Sequence, residues 1–250
     1  MLPVIETFFS VQGEGKRVGY PSYFIRVGGC NLRCKGFGCE YKVNGETRYG
    51  CDTYYAVDPA FKKEWKIITD YYEIIDELKK LGFNENAINK PDIVITGGEP
   101  TLYWKNKEFQ DLLAYFISRG IKVTIETNAS IDIDFTKEYQ KEIIFSMSVK
   151  LANSGEPEYK RINIDNIMNI LENTKESYFK FVIDKNMEFA EVLDLLKQIP
   201  YYADVYLMPM GENRENIYKN AEYVAQKCLE YGFKYSPRVH IDIWGDKKGV

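Results

Sequence analysis

Residues 93–126 read IVITGGEPTLYWKNKEFQDLLAYFISRGIKVTIE, and this stretch decides the class of fold. It opens on a short apolar, β-branched run at 93–95, which reads as a strand. Phe109, Leu112, Leu113, Phe116 and Ile117 then recur at helical spacing and mark a helix ending near Gly120. A second strand follows at 122–126. Strand, helix and strand in such close succession imply a parallel pair with a right-handed crossover. The alternation continues outward. Upstream, 4–11 and 22–27 read as strands, and 70–81 as a helix with Tyr71, Ile74, Ile75, Leu78 and Leu81 on one face. Asp70 stands three residues before Glu73 like a capping pair, and Gly82 stands where a helix stops. Downstream come a strand at 143–149, a helix around 164–171, a strand at 178–183, a helix at 188–198 and a strand at 205–208. A long helix at 215–231 closes at Gly232, before a last extended stretch at 235–243. The fold class is therefore α/β with a mostly parallel sheet. The count suits a partial (β/α) barrel as well as a doubly wound sheet, and periodicity alone does not choose between them.

The chain has 250 residues, enough to bury a sizeable core as one domain over 1–250. Its 37 acidic and 33 basic residues leave a formal charge of −4, which gives no electrostatic reason to expect nucleic acid as a partner. The opening MLPVIETFFSVQGEG carries acidic residues early and no long apolar run, so neither an export signal nor a membrane anchor is expected there. A cytoplasmic chain keeps cysteines as thiols or metal ligands rather than disulfides. Four of the five cysteines fall between Cys30 and Cys51. The remote one, Cys228, lies on the apolar stripe of Ile217, Ala221, Val224 and Ala225 and belongs to the core.

Cys30-Asn31-Leu32-Arg33-Cys34 follows a strand and the pair Gly28-Gly29. Two thiolates four residues apart on a sharply turning loop can wrap a soft metal or a cluster, although this spacing alone also fits structural zinc. The third ligand is open on the residues themselves, being Cys39 or Cys51. Between them lies Asn44-Gly45, a strong hairpin-turn signal flanked by arms at 41–43 and 46–49. A hairpin insertion at about 35–50 returns its ends to neighbouring positions, so Cys51 can arrive beside Cys34. Three cysteines on a [4Fe–4S] cluster leave one iron open, and the amino and carboxylate groups of S-adenosylmethionine can chelate it.

Thr96-Gly97-Gly98-Glu99-Pro100 closes the strand at 93–95 and, with the cysteine loop before it, resembles the GGEP motif of radical S-adenosylmethionine enzymes. The stretch from Glu6 to Gly15 (ETFFSVQGEG), then Gly19-Tyr20-Pro21, Phe24-Ile25-Arg26 and Gly29-Cys30-Asn31-Leu32, closely resembles the 7-carboxy-7-deazaguanine synthase family. The resemblance recurs at Cys51-Asp52-Thr53, at 126–128, at 148–150 and near His240, and is weak over 151–208. It chooses Cys51 as the third cluster ligand. It implies a modified partial (β/α) barrel, a homodimer, and a carbon–nitrogen lyase that contracts the ring of 6-carboxy-5,6,7,8-tetrahydropterin with loss of ammonia, toward queuosine and other 7-deazapurines. It implies a [4Fe–4S] cluster, S-adenosylmethionine and Mg²⁺, and a reductant protein such as a flavodoxin or ferredoxin.

Residue roles follow from the same resemblance. Val11, Gln12, Gly13 and Glu14 line the pterin, Thr96 and His240 touch it, and Arg26 meets its carboxylate, for which a guanidinium fork is suited. Cys30, Cys34 and Cys51 hold the cluster and Thr53 holds Mg²⁺. Gly50, Asp52, Gly98, Glu99, Glu126, Asn128, Ser148, Val149 and Lys150 are expected around S-adenosylmethionine. Arg238 stands where the family suggests glutamine, and the tail runs on to Val250, beyond the short ending of some members. Two rivals stand beside this reading: a glycyl-radical activase, whose substrate is a protein, and a non-catalytic zinc-binding protein. Gln12-Gly13-Glu14-Gly15 with Arg26 favours a small carboxylated pterin over the activase, and the colour and iron content of anaerobically purified protein separate the zinc protein.

Overall fold

Period-2 alternation runs through the central strands, and it sorts each one into an apolar face and a polar face. In the segment Tyr178–Ile183, Phe179, Phe181 and Ile183 enter the core, while Lys180 and Val182 face a cavity. A computed structural model describes residues 1–245, 247 and 249. Strands β1 (Leu2–Val11) and β2 (Pro21–Val27) form an antiparallel pair. The hairpin β3 (Cys39–Val43) and β4 (Glu46–Gly50) stands apart as a two-stranded sheet. Its turn residues Asn44 and Gly45 have φ of 50° and 85°, the left-handed pair that an Asn-Gly turn supplies.

Helix α1 (Tyr54–Val57), strand β5 (Lys66–Ile68) and helix α2 (Tyr72–Lys80) lead into β6 (Asp92–Gly97). Helix α3 (Lys107–Ser118), β7 (Val123–Thr127), β8 (Ile144–Met147), α4 (Glu158–Arg161), α5 (Ile164–Asn173) and β9 (Tyr178–Ile183) follow. Then come α6 (Ala190–Lys197), β10 (Val205–Pro209), α7 (Arg214–Tyr231), β11 (Lys234–Tyr235) and α8 (Val239–Trp244). The α2 start is built as its sequence suggested: Glu73 Oε1 accepts from Asp70 N–H, and Asp70 Oδ1 from Tyr72 N–H.

One nine-stranded sheet runs β11-β10-β9-β8-β7-β6-β2-β1-β5, and every neighbour from β2 to β11 is parallel. This order settles what periodicity left open. A doubly wound sheet reverses its strand order at a switch point. Here the strands after the insertion follow one another without reversal, as in barrel winding, which puts helices on one face and leaves the other free to line a cavity. The helix face holds the core: Ile25, Ile93, Ile95, Val123, Ile125, Phe145, Phe181 and Leu207 meet Leu112, Phe116, Ile167, Val192 and Val224 from the helices. Fully burying Phe109 or Phe116 contributes about 2–3 kcal/mol each. Cys228 lies in this core, as its stripe implied.

One expectation is corrected. The stretch 235–243 is not extended, since β11 stops at Tyr235 and residues 239–244 form α8. Pro237 has no N–H to continue a ladder, and a six-residue helix with Ile241 as its buried contact is too short to show a period. The strand β5 and the turn α1 carried no sequence signal for the same reason, their shortness.

Candidate active site

The polar face of the sheet opens into a cavity of about 880 Å³ that gathers residues from all along the chain. Every site residue singled out from the sequence lines it, except Gly50 and Val149. Val149 turns its side chain into the hydrophobic core, because it continues the inward alternation of β8. Gly50 pairs with Cys39 at the foot of the hairpin instead. Val250 lies outside the described residues.

The cysteine end is organised by backbone contacts. A Cβ placed on Gly50 would sit 3.5 Å from the Arg33 carbonyl, so the hairpin does return Cys51 beside Cys34. Glu156 holds the loop from the other side, accepting from Arg33 N–H at 2.5 Å and Cys34 N–H at 2.9 Å. Burial pushes the thiols of Cys30 and Cys34 up, that of Cys34 to about 12, and charge on Cys51 would raise both further. Cys39 also lines the cavity, and burial, with Glu212, Asp52 and Cys51 nearby, pushes its thiol up. Among the described residues no three His, Cys, Asp or Glu side chains converge on one ion-sized volume. Thr53 Oγ1 lies 3.4 Å from Cys51 Sγ.

The glycine motif is stitched to this loop. Gly98 N–H donates to the Val27 carbonyl at 3.0 Å and Glu99 N–H to the Gly29 carbonyl at 2.7 Å. A Cβ on Gly98 would come within 1.8 Å of the Gly29 oxygen, so only glycine permits the approach. Gly98→Ala is therefore expected to separate the two loops and lower the melting temperature; an alanine variant with unchanged melting and cofactor affinity would contradict this packing. Glu99 is occupied by the fold itself. Its carboxylate accepts from Thr101 N–H at 3.0 Å, Thr101 Oγ1 at 2.6 Å, Thr127 Oγ1 at 2.6 Å and Asn128 N–H at 2.6 Å. It builds the loop, and Oε2 keeps one lone pair for a ligand. Lys150 Nζ bonds both oxygens of Ser148 at 2.9 Å, and Asn128 Nδ2 bonds Asn31 of the cysteine loop at 2.9 Å.

At the other end, Arg26, Thr96 and Glu126 stand side by side on β2, β6 and β7. Register places Arg26 beside Thr96, and Thr96 Oγ1 donates to Glu126 Oε2 at 2.7 Å. Gln12 Nε2 donates to Glu126 Oε1 at 3.3 Å. Arg26 is held by Glu6, Nε to Oε1 at 2.7 Å, with the Tyr55 hydroxyl donating to the same oxygen at 3.1 Å.

Two cations that sequence reading did not place meet Glu14: Lys180 Nζ at 2.6 Å on Oε2 and Arg238 Nε at 2.9 Å on Oε1. Arg238 Nη2 also donates to Asp52 Oδ2 at 2.8 Å, tying this end to the cysteine loop. Burial alone would push the Glu14 carboxyl up, but these two charges hold it well below the usual carboxylate range. Burial opposes the charge on Lys180 too, and Glu126 and Glu14 together keep it ionised. The ring of His240 sits against Gly13, where a Cβ would lie 2.1 Å from Nδ1, and burial keeps it neutral against the pull of Glu14. The signal for Lys180 was present: a charge in the strand YFKFVI, alternating with core phenylalanines, must face something polar.

A family model described as a 4Fe-4S single cluster domain matches residues 11–162. The chain is 30% identical to a 7-carboxy-7-deazaguanine synthase from Halobacterium salinarum, covering 98% of this chain and 91% of that one. It is 31% identical to the enzyme of the same name from Leptospira interrogans, covering 99% and 97% respectively. The crystal structure of QueE from Escherichia coli superposes with a TM-score of 0.66 over 94% of this chain and 92% of that chain, at 19% identity, which speaks to the fold.

Proposed function

Since the chain belongs to the 7-carboxy-7-deazaguanine synthase family of radical S-adenosylmethionine enzymes, we propose that its cavity contracts the ring of 6-carboxy-5,6,7,8-tetrahydropterin with loss of ammonia, a step toward queuosine. One observation carries the substrate assignment: a guanidinium, Arg26 on β2, and a buried ionised carboxylate, Glu14 in the loop after β1, face one cavity. A pterin bearing a carboxylate at C6 has an anionic end and, opposite it, a donor-rich 2-amino edge. The two ends match these groups.

The donor set fits a cluster. Cys30, Cys34 and Cys51 line the same cavity as Gly98 and Glu99, three soft thiol donors, and they would hold [4Fe–4S] with one iron open. When bound there, the cluster supplies the electron that cleaves the sulfonium of S-adenosylmethionine, starting abstraction of hydrogen from C6 of the substrate. The chain's own residues do the rest by positioning. Gly98, packed on the Gly29 carbonyl, holds the glycine turn against the cysteine loop at the cavity wall, while Ser148, Lys150 and Asn128 offer polar atoms to a nucleoside and its carboxylate. Arg26 pairs with the substrate carboxylate, with Glu6 fixing its orientation. Glu14 accepts from the 2-amino and N3 hydrogens, since each of its oxygens keeps a lone pair beyond the one given to Lys180 or Arg238. Gln12 and Thr96 orient Glu126, and neutral His240 closes the floor against Gly13.

Thr53 would offer a hydroxyl to Mg²⁺, with water and substrate oxygens completing the shell. The reading extends to one domain over 1–250, a homodimer, and a flavodoxin- or ferredoxin-type reductant. No helix among the described residues is long and apolar enough to cross a membrane. The test is anaerobic turnover with reductant, S-adenosylmethionine, Mg²⁺ and the tetrahydropterin, followed by mass spectrometry. The deazapurine product is expected, and its absence from cluster-replete enzyme would overturn the substrate assignment.

A further inference from the structure

Lys180 is the one charged residue of β9, and nothing in the family motifs calls for it. Its side chain is 5% exposed and lines the cavity. An ammonium carries three N–H donors. One goes to Glu14 Oε2 at 2.6 Å. Glu126 Oε1 stands at 3.8 Å, beyond hydrogen-bonding distance, though near enough to keep the lysine charged. Among the described residues no other hydrogen bond is made by Nζ. A buried cation with donors unspent in a cavity is incomplete without an acceptor there.

In the occupied cavity a ligand atom can supply that acceptor. If the carboxylate end meets Arg26 on β2, the far end of the ring reaches across β6, β7 and β8 toward β9. That end presents, in order, the 2-amino donor, the N3 donor and the 4-oxo acceptor. Glu14 offers acceptors and Lys180, bonded to it, offers the adjacent donor. The protein pattern of acceptor, acceptor, donor is the complement of that edge.

Resting on the pterin reading above, we propose that Lys180 is a specificity-determining residue that donates to the 4-oxo group and so selects 4-oxo over 4-amino pterins. A 4-amino group turns the acceptor into a donor and sets N–H against N–H at Lys180, and it also removes the N3 hydrogen that Glu14 accepts. A pocket built around a buried hydrogen bond rejects the analogue that cannot make it.

The experiment is equilibrium binding, by pterin fluorescence, to anaerobically purified holoenzyme with S-adenosylmethionine. The probes are 6-carboxypterin, 2,4-diaminopteridine-6-carboxylate and 2-aminopteridine-6-carboxylate. Wild-type protein is expected to bind the oxo compound about 100-fold more tightly than the diamino compound, with the unsubstituted one between. Lys180→Gln, whose amide can turn either way, is expected to narrow this preference about 10-fold, the remainder coming from the N3 hydrogen on Glu14, while Lys180→Arg keeps it. Equal wild-type affinity for the three probes, or an unchanged preference in folded Lys180→Gln, overturns the assignment. Should the glutamine variant fail to fold, Lys180→Met supplies the same comparison, and an unchanged preference in folded Lys180→Met overturns the assignment. Absence of binding by all three probes would instead remove the pterin reading on which it rests.

Discussion

Replacing Cys51 with alanine is expected to give protein that purifies anaerobically without cluster iron and sulfide and without turnover, whereas Cys39→Ala retains all three. The effect is large because a cluster with one open iron has only three protein ligands, so no thiolate is redundant. The geometry that separates the two cysteines is local. Cys39 opens β3 and pairs with Gly50, and Glu212 beside it helps push its thiol up. Cys51 follows the end of β4, on the side where Gly50 approaches the Arg33 carbonyl and therefore Cys34. A hairpin of five residues on each arm thus brings two residues far apart in sequence to one site. The absorbance of iron–sulfur charge transfer near about 400 nm reads the outcome. A brown Cys51→Ala protein beside a colourless Cys39→Ala protein would move the third ligand to Cys39.

Glu14→Gln is expected to weaken pterin binding by about 30- to 150-fold, corresponding to about 2–3 kcal/mol, while iron content stays at the wild-type level. Glutamine keeps the shape and removes the charge. It presents an N–H where an acceptor is needed, and it leaves Lys180 and Arg238 facing each other across a neutral group. The same change lowers stability, because removing one partner of a buried ion pair strands the others, at a cost of about 3–5 kcal/mol. The two consequences separate by pH. Glu14 in the folded chain ionises well below its ordinary 4.5. Its ion pairs therefore contribute fully above that value and are lost only as acid titrates the folded carboxylate. At neutral pH the wild type carries the whole contribution and the variant none. Unchanged affinity for 6-carboxypterin in Glu14→Gln would remove Glu14 from the substrate site.

Several residues show how far the chain could be read in one dimension. The long helices and most central strands appear where periodicity places them, since their apolar stripes run over many residues: α3, α7 and β9 match their expected spans to within two residues. The site motifs are equally local. Cys30 and Cys34 share one loop, Gly97 to Pro100 share one turn, and Asn44-Gly45 specifies the hairpin that carries Cys51 back. Glu99 was legible as a motif residue but not as what it is, an acceptor with Oε1 filled by Thr101 and Thr127 and Oε2 shared with Asn128.

Two matters were decided only in three dimensions. Strand order is set by which edge each βα unit packs against, and no local signal encodes that choice, so the barrel-type winding emerged from the sheet itself. The clamp on Glu14 joins residues 166 and 224 positions away. Charge at such separations leaves no period or spacing in the chain. The sequence by itself determined the cysteine loop, the glycine turn and the alternation of elements, because each depends on neighbours within a few residues. Only folding placed Lys180 and Arg238 on one carboxylate, because burial makes their mutual attraction strong and only the assembled sheet brings them together.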